Sequence, residues 1–237
     1  MGRLIHTEFY KLFHDKIYWT VCAVLVLFNM ILFSGSSILS LTGQKAFIEC
    51  MKKEIATVLI VCIYGGLFIG DDFANRTLYH GLTAGKSRSS VLLAKAVAYA
   101  AAADGLLFLF PLSLTVVCMI RNGWGDTLST VTAWNPAGAA AAFVILGFAV
   151  SALSLLAAVC FRDVGRTIGI PILLYFIMIL LLNSSNGPVF SHILPLGILV
   201  LLAEGSVTPA YGILLGIVWL VPLEAVSTLV FCRAELR

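Results

Sequence analysis

Residues 96–120 read AVAYAAAADGLLFLFPLSLTVVCMI, and Asp104 is the one charge among them. A helix needs about 20 predominantly apolar residues to cross the hydrocarbon core of a bilayer. A helix on the surface of a soluble domain buries one apolar stripe and wets the opposite face, and this stretch has no opposite face to wet. It reads as a membrane span. The rest of the chain agrees: 60% of the 237 residues are hydrophobic and 11% charged, against roughly 25% charged in soluble domains. So few charges cannot cover a globule in water, so the expected solvent is lipid. The net charge of +3 is too small to argue for nucleic acid, and none is expected as a partner.

Outward from this stretch, five more apolar runs are long enough to span: 17–41, 55–73, 133–161, 167–186 and 207–232, the last interrupted by Glu224. Between the last two lies 187–206. Its apolar core, Val189 to Ala203, is short and is broken by Pro195 and Gly197, which suits a re-entrant or interfacial outer element better than a crossing. The expected fold is therefore an all-α integral membrane protein of six transmembrane helices. Lys and Arg collect on the cytoplasmic side of short loops. With the N-terminus inside, Arg3, Lys11, Lys16, Arg76, Lys86, Arg88, Lys95, Arg162, Arg166, Arg233 and Arg237 fall inside, and Lys45, Lys52, Lys53 and Arg121 outside. That bias places both termini in the cytoplasm of a multi-pass protein of the cell (plasma) membrane. No cleavable leader is expected, because five charged residues precede the first run.

The segment 1–16, MGRLIHTEFYKLFHDK, is amphipathic: Leu4, Ile5, Phe9, Leu12 and Phe13 share a broad face, with Arg3, His6, Thr7, Lys11 and His14 across from it. A helix lying in the cytoplasmic interface is expected. Lys45 to Glu54 reads as a charged outer connection. The six cysteines show no C-x-x-C pair or metal spacing; a disulfide between Cys50 and Cys118, both towards the outer side, is conceivable. Gly66 and Gly70, the alanines before Asp104, and Gly212 and Gly216 supply small faces on which helices can pack closely in lipid.

The largest inner loop precedes the opening stretch. Its segment GLTAGKS, 81–87, nearly spells the nucleotide-binding pattern G-x-x-x-x-G-K-[ST], whose length lets backbone N–H groups wrap a phosphate. The first glycine would have to stand at His80; Gly81 makes the loop one residue short. No strand precedes it, and no soluble domain is there to hold a base or a magnesium ion. The glycine is expected to end a short helix, with Ser87 and Arg88 opening the next.

The same loop resembles that of export-class (type-2) ABC transporter permeases, in particular the small six-span kind associated with peptide export or lantibiotic and bacitracin self-protection. Their pattern runs roughly D-F-x-N-G-T-x-x-x-x-L-x-x-G-x-S-R, then an apolar stretch ending in Lys. Here Asp72, Phe73, Asn75, Thr77, Leu78, Leu82, Gly85, Ser87, Arg88, Leu93 and Lys95 match, with Arg76 where the family has glycine. Glu8, Lys11, Lys16 and Trp19 stand where the family's opening has them. The resemblance implies a bacterial permease whose segment 74–90 is a coupling helix. That helix would dock a separate ABC ATPase through Asp72, Phe73, Asn75, Arg76, Thr77, Leu78, His80, Leu82, Gly85, Ser87 and Arg88. The interfacial helix would be carried by Glu8, Phe9, Lys11, Leu12 and Phe13. It also implies an outer helical hairpin at 187–206, two ATPase copies, and a second permease, identical or related. ATP and Mg would be bound by the ATPase, with no cofactor in this chain. Amphipathic or antimicrobial peptides are the implied cargo.

No enzyme constellation is expected: His6, His14, His80 and His192 are scattered, with no H-E-x-x-H spacing and no serine elbow. Asp104 and Glu224 are the acidic residues inside spans, and intramembrane carboxylates are candidates for function. They carry the alternative reading of a proton-coupled secondary transporter; a membrane assembly protein without transport is a third.

Overall fold

The computed structural model describes residues 2–33, 37–53, 55–75, 77, 85–125 and 136–233, and among these it is all-helical, without a strand. α1 is Gly2–His14 and α2 Lys16–Phe33, followed by a 3₁₀ turn at Ser37–Ser40. α3 is Gly43–Lys53. α4, Ile55–Gly65, passes through a π-helical turn at Gly66–Gly70 into α5, Asp71–Ala74. α6 is Arg88–Asn122, α7 Pro136–Phe161 and α8 Val164–Leu182. Two short helices, α9 (Gly187–Ser191) and α10 (Pro195–Ala203), lead to α11, Pro209–Arg233. Among the described residues, five helices are long and apolar enough to cross a membrane: Thr57–Ala74, Arg88–Asn122, Gly138–Phe161, Val164–Leu182 and Pro209–Arg233. The apolar stretch Lys16–Asn29 is shorter. The chain thus has the character of a membrane protein.

α6 is the axis of the bundle. At 1.5 Å per residue its 35 residues run about 52 Å, well beyond a hydrocarbon core of about 30 Å. α3, α4 and α5 run antiparallel along it: Gly43 meets Met119 and Trp124, the Tyr99 hydroxyl donates to Val61 O (3.0 Å), and Lys95 meets Asp72. The segment read from sequence as a charged outer connection, Lys45 to Glu54, is therefore mostly helix, with Gly43–Lys53 forming α3. Its inner face, Ala46, Cys50 and Met51, is buried. Lys45 and Glu49 lie on the other faces, so the charges hid a helical period. Cys50 and Cys118 are buried and not joined by a disulfide, and the Cys118 thiol donates to Ile38 O.

Small residues set the approach of the helices. A Cβ on Gly66 would lie 2.1 Å from Ile168 Cγ1 and 3.2 Å from Val164 O, so α8 rests on bare backbone at the π turn. A Cβ on Gly216 would lie 2.7 Å from Ile145 Cγ2, and α11 packs along α7 on this face. The opposite face of α11 exposes Leu214, Ile217, Val218, Val221, Val226 and Leu229. A continuous exposed hydrocarbon face is what contact with lipid requires, and in water it would be an aggregation surface.

Candidate functional site

The candidate site is the end of the bundle where α1, α5, the start of α6 and the end of α11 converge. α1 turns Leu4, Ile5, Glu8, Phe9 and Leu12 towards the bundle, and Leu12 is fully buried. Phe13, expected on this face, is 59% exposed instead, because the helix face that meets the bundle is narrower than the apolar arc. Asp15 then caps α2, its Oδ1 accepting from Ile17 N at 2.9 Å. Its Oδ2 accepts from the Tyr64 hydroxyl at 3.3 Å, which fixes the α1–α2 corner to α4.

Glu8 lies in the middle of the inner face of α1, opposite Lys95. The Lys95 side chain is 2% exposed, yet it carries a charge. Its Nζ lies 3.2 Å from Glu8 Oε2, is paired with Asp72 Oδ2, and sits 3.7 Å from the centre of the Phe68 ring. Lys11, at the solvent side, pairs with Glu8 Oε1 at 2.8 Å. Two ammonium groups thus balance two carboxylates. A buried ion is tolerated when it is paired and its remaining contacts are favourable, and here the face of an aromatic ring supplies one of those contacts. The π turn aids this geometry: its wider winding, with Asp71 N–H bonded to Gly66 O, carries Phe68 and ends just before Asp71 and Asp72.

The cluster grips the front rim of the inner loop. Asp72 Oδ1 accepts from the Thr77 hydroxyl, and Thr77 N donates to Asp72 O at 3.0 Å. Asn75 Nδ2 donates to Asp71 Oδ1 at 2.8 Å. Phe73 is buried edge-to-face on Phe231 of α11, ring centres 5.8 Å apart. The rear rim is held as firmly. Gly85 has φ +76°, a left-handed turn. Ser87 caps α6, its Oγ accepting from Ser90 N at 3.3 Å. Arg88 donates to Cys232 O at 3.0 Å, placing a cation at the C-terminal end of α11, where the helix dipole favours it. Ser87→Ala is expected to lower stability by about 1 kcal/mol, measured as a shift of the detergent melting curve; Ser87→Asp, which keeps an acceptor, is expected to hold it.

Of the sequence-derived site residues, Asp72, Phe73, Asn75, Thr77, Gly85, Ser87, Arg88, Glu8, Phe9, Lys11 and Leu12 come together at this end. Asp72 and Phe73 point into the chain and hold the loop in place. Arg76, Leu78, His80 and Leu82 lie outside the described residues. The element the sequence reading passed over is the three-way pairing through Lys95. Its signal was a carboxylate, Glu8, centred on an apolar face: such a group calls for a buried cation.

Asp104 lies farther along α6 from Lys95, and Glu224 earlier in α11 than Phe231; neither joins the ion pairs of this cluster. Asp104 is buried on α6, its Oδ1 directed at Gly147 of α7 and without a hydrogen-bond partner among the described residues. Among the described residues, no group of three or more His, Cys, Asp or Glu is arranged to hold a metal ion. Compared with known protein families and with curated proteins, the chain matches none.

Proposed function

We propose that this chain is the membrane-spanning permease subunit of an ATP-driven ABC exporter. In this reading α2 completes a set of six spans, α1 lies in the cytoplasmic interface, and the pair α9–α10 forms the outer re-entrant hairpin. A separate ATPase, in two copies, docks on the loop between α5 and α6, and a second permease completes the path. ATP and Mg belong to the ATPase. Amphipathic peptides are the proposed cargo, moved out of the cytoplasm or the membrane of a bacterial cell.

The observation that carries the reading is the clamping of both rims of one loop. The front rim is tied through Asp72 to Lys95 and Glu8, and the rear rim through Arg88 to the end of α11. A push on such a loop moves α1, α6 and α11 together instead of being absorbed by slack chain. That is the mechanical requirement for coupling a partner's closure to a tilt of the spans. The chain supplies a lever and a path, and its partner supplies the hydrolysis.

Affinity purification of the tagged chain from its own host tests this. A co-purifying ATPase with a full G-x-x-x-x-G-K-[ST] loop is expected, with activity in nanodiscs that depends on the chain. Transport by the chain alone in proteoliposomes, driven by a proton gradient, would overturn the reading in favour of secondary transport. Arg88→Glu is expected to insert normally and to lose at least tenfold in ATPase association; an unchanged pull-down and unchanged coupled activity would count against the docking role.

A further inference from the structure

One face of α6 is lined by cavities along its length. Between α6, α7 and α11 lies a cavity of about 190 Å³, walled by Leu93, Val97 and Ala100, Phe148, Leu220 and Glu224. One turn beyond Ala100 on the same face of α6 stands Asp104, against Gly147. A Cβ at Gly147 would lie 1.9 Å from Asp104 Oδ1, so the bare backbone there makes room for the carboxyl group. Further along, Leu112, Val116 and Met119 wall a second space of about 280 Å³ against α7. The spaces beside α6 are thus walled by hydrocarbon, with Asp104 on α6 itself and Glu224 facing it from α11 in the first cavity.

The first cavity is the informative one. Its walls are hydrocarbon except for Glu224, which is half-buried and has no ion pair or hydrogen bond to a described residue. Leu93 and Val97 are 45% and 39% exposed, so the cavity opens sideways on the surface that faces lipid. An engineered cavity of about 150 Å³ takes up benzene, so the volume here suits a ring or a short length of alkyl chain. A carboxylate in apolar surroundings is costly until a cation joins it. A pocket of apolar walls with one placed charge selects a ligand with the complementary charge on an apolar body. Asp104, with its unpartnered oxygen, offers a second point for the same chemistry farther along α6.

We infer that the cavity at Glu224 binds lipophilic amines: an apolar body bearing an ammonium group, entering laterally from the bilayer between Leu93 and Val97. As a cargo site it rests on the exporter reading; as a binding site it does not.

The test uses the full chain in nanodiscs of phosphatidylcholine, with no ATPase present. Dodecylamine and dodecanol compete for a fluorescent alkylamine probe. The amine is expected to bind at least tenfold more tightly than the alcohol. Glu224→Gln is expected to abolish that preference while leaving the alcohol unchanged, and Leu93→Trp, which fills the mouth, is expected to weaken both. Should Glu224→Gln fail to fold, Glu224→Asp serves, with the preference retained but reduced. Equal binding of amine and alcohol by the native chain, meaning lipid-like partition only, overturns the inference. So does a preference that survives Glu224→Gln, or binding unaffected by Leu93→Trp. Amine binding in a chain that recruits no ATPase would leave the site standing and refute the exporter reading; recruitment of an ATPase without amine preference would do the reverse.

Discussion

Lys95→Met is expected to destabilise the chain by about 3–5 kcal/mol, the range for removing one partner of a buried ion pair. The substitution keeps the length and much of the volume of the side chain, so packing on Phe68 survives. What is lost is the ammonium group that Glu8 and Asp72 share. Two carboxylates then share only Lys11, which reaches Glu8 from the solvent side and leaves Asp72 without its cation. The measurement is thermal or denaturant unfolding in detergent, with the loop rims reported by protease nicking near residue 77. Opposed interactions separate charge from packing. The triple variant Glu8→Gln, Asp72→Asn, Lys95→Met removes the whole buried set, and such neutral replacements often cost little. Most of the stability is therefore expected to return. On the proposed exporter reading, coupled ATPase activity is expected to stay low in the triple variant, since the neutral groups no longer bind α1 to the loop. A loss below about 1 kcal/mol for Lys95→Met would show that the pairing is loose and solvated, and the clamped-loop mechanism would fall with it.

Gly66→Val is expected to have the second largest effect, at the upper end of the about 1–3 kcal/mol typical of overpacking. Its Cβ would lie 2.1 Å from Ile168 Cγ1, a branch atom near the backbone of α8, and Val164 O blocks retreat at 3.2 Å. Neither atom is the free end of a flexible side chain, so the helices themselves must separate. Ile168→Ala in the same chain is expected to recover part of the loss. Gly169→Ala is the matched control: nothing lies within 4 Å of its Cβ position, so no loss is expected. Equal melting temperatures for Gly66→Val and Gly169→Ala would show that α4 and α8 do not pack through the π turn.

Much of the architecture was legible because membrane helices are written in composition. The run 96–120 has no polar face, and no other element could bury it. The Ser87 cap and the turn at Gly85 were legible because capping depends on residues three or four apart. Pro195 marked the break between α9 and α10, since it opens α10; Gly197, expected to break the segment as well, lies inside that helix. The helical nature of Gly43–Lys53 was obscured by Lys45, Glu49, Lys52 and Lys53, which suggested a loop, although Ala46, Cys50 and Met51 form a buried face. The inward turn of Phe73 onto Phe231 could not be read either, since the two residues are far apart in the chain.

The sequence by itself determined the solvent and the elements: charge density decides between water and lipid, and local spacing decides caps and amphipathic faces. Only the tertiary structure decided which charges meet. Glu8, Asp72 and Lys95 come from three separate elements, and their pairing depends on where α1 lies, on the π turn before Asp72, and on the depth at which α6 starts. An ion pair at close range is a property of distance in space, and distance in space is what a one-dimensional pattern does not contain.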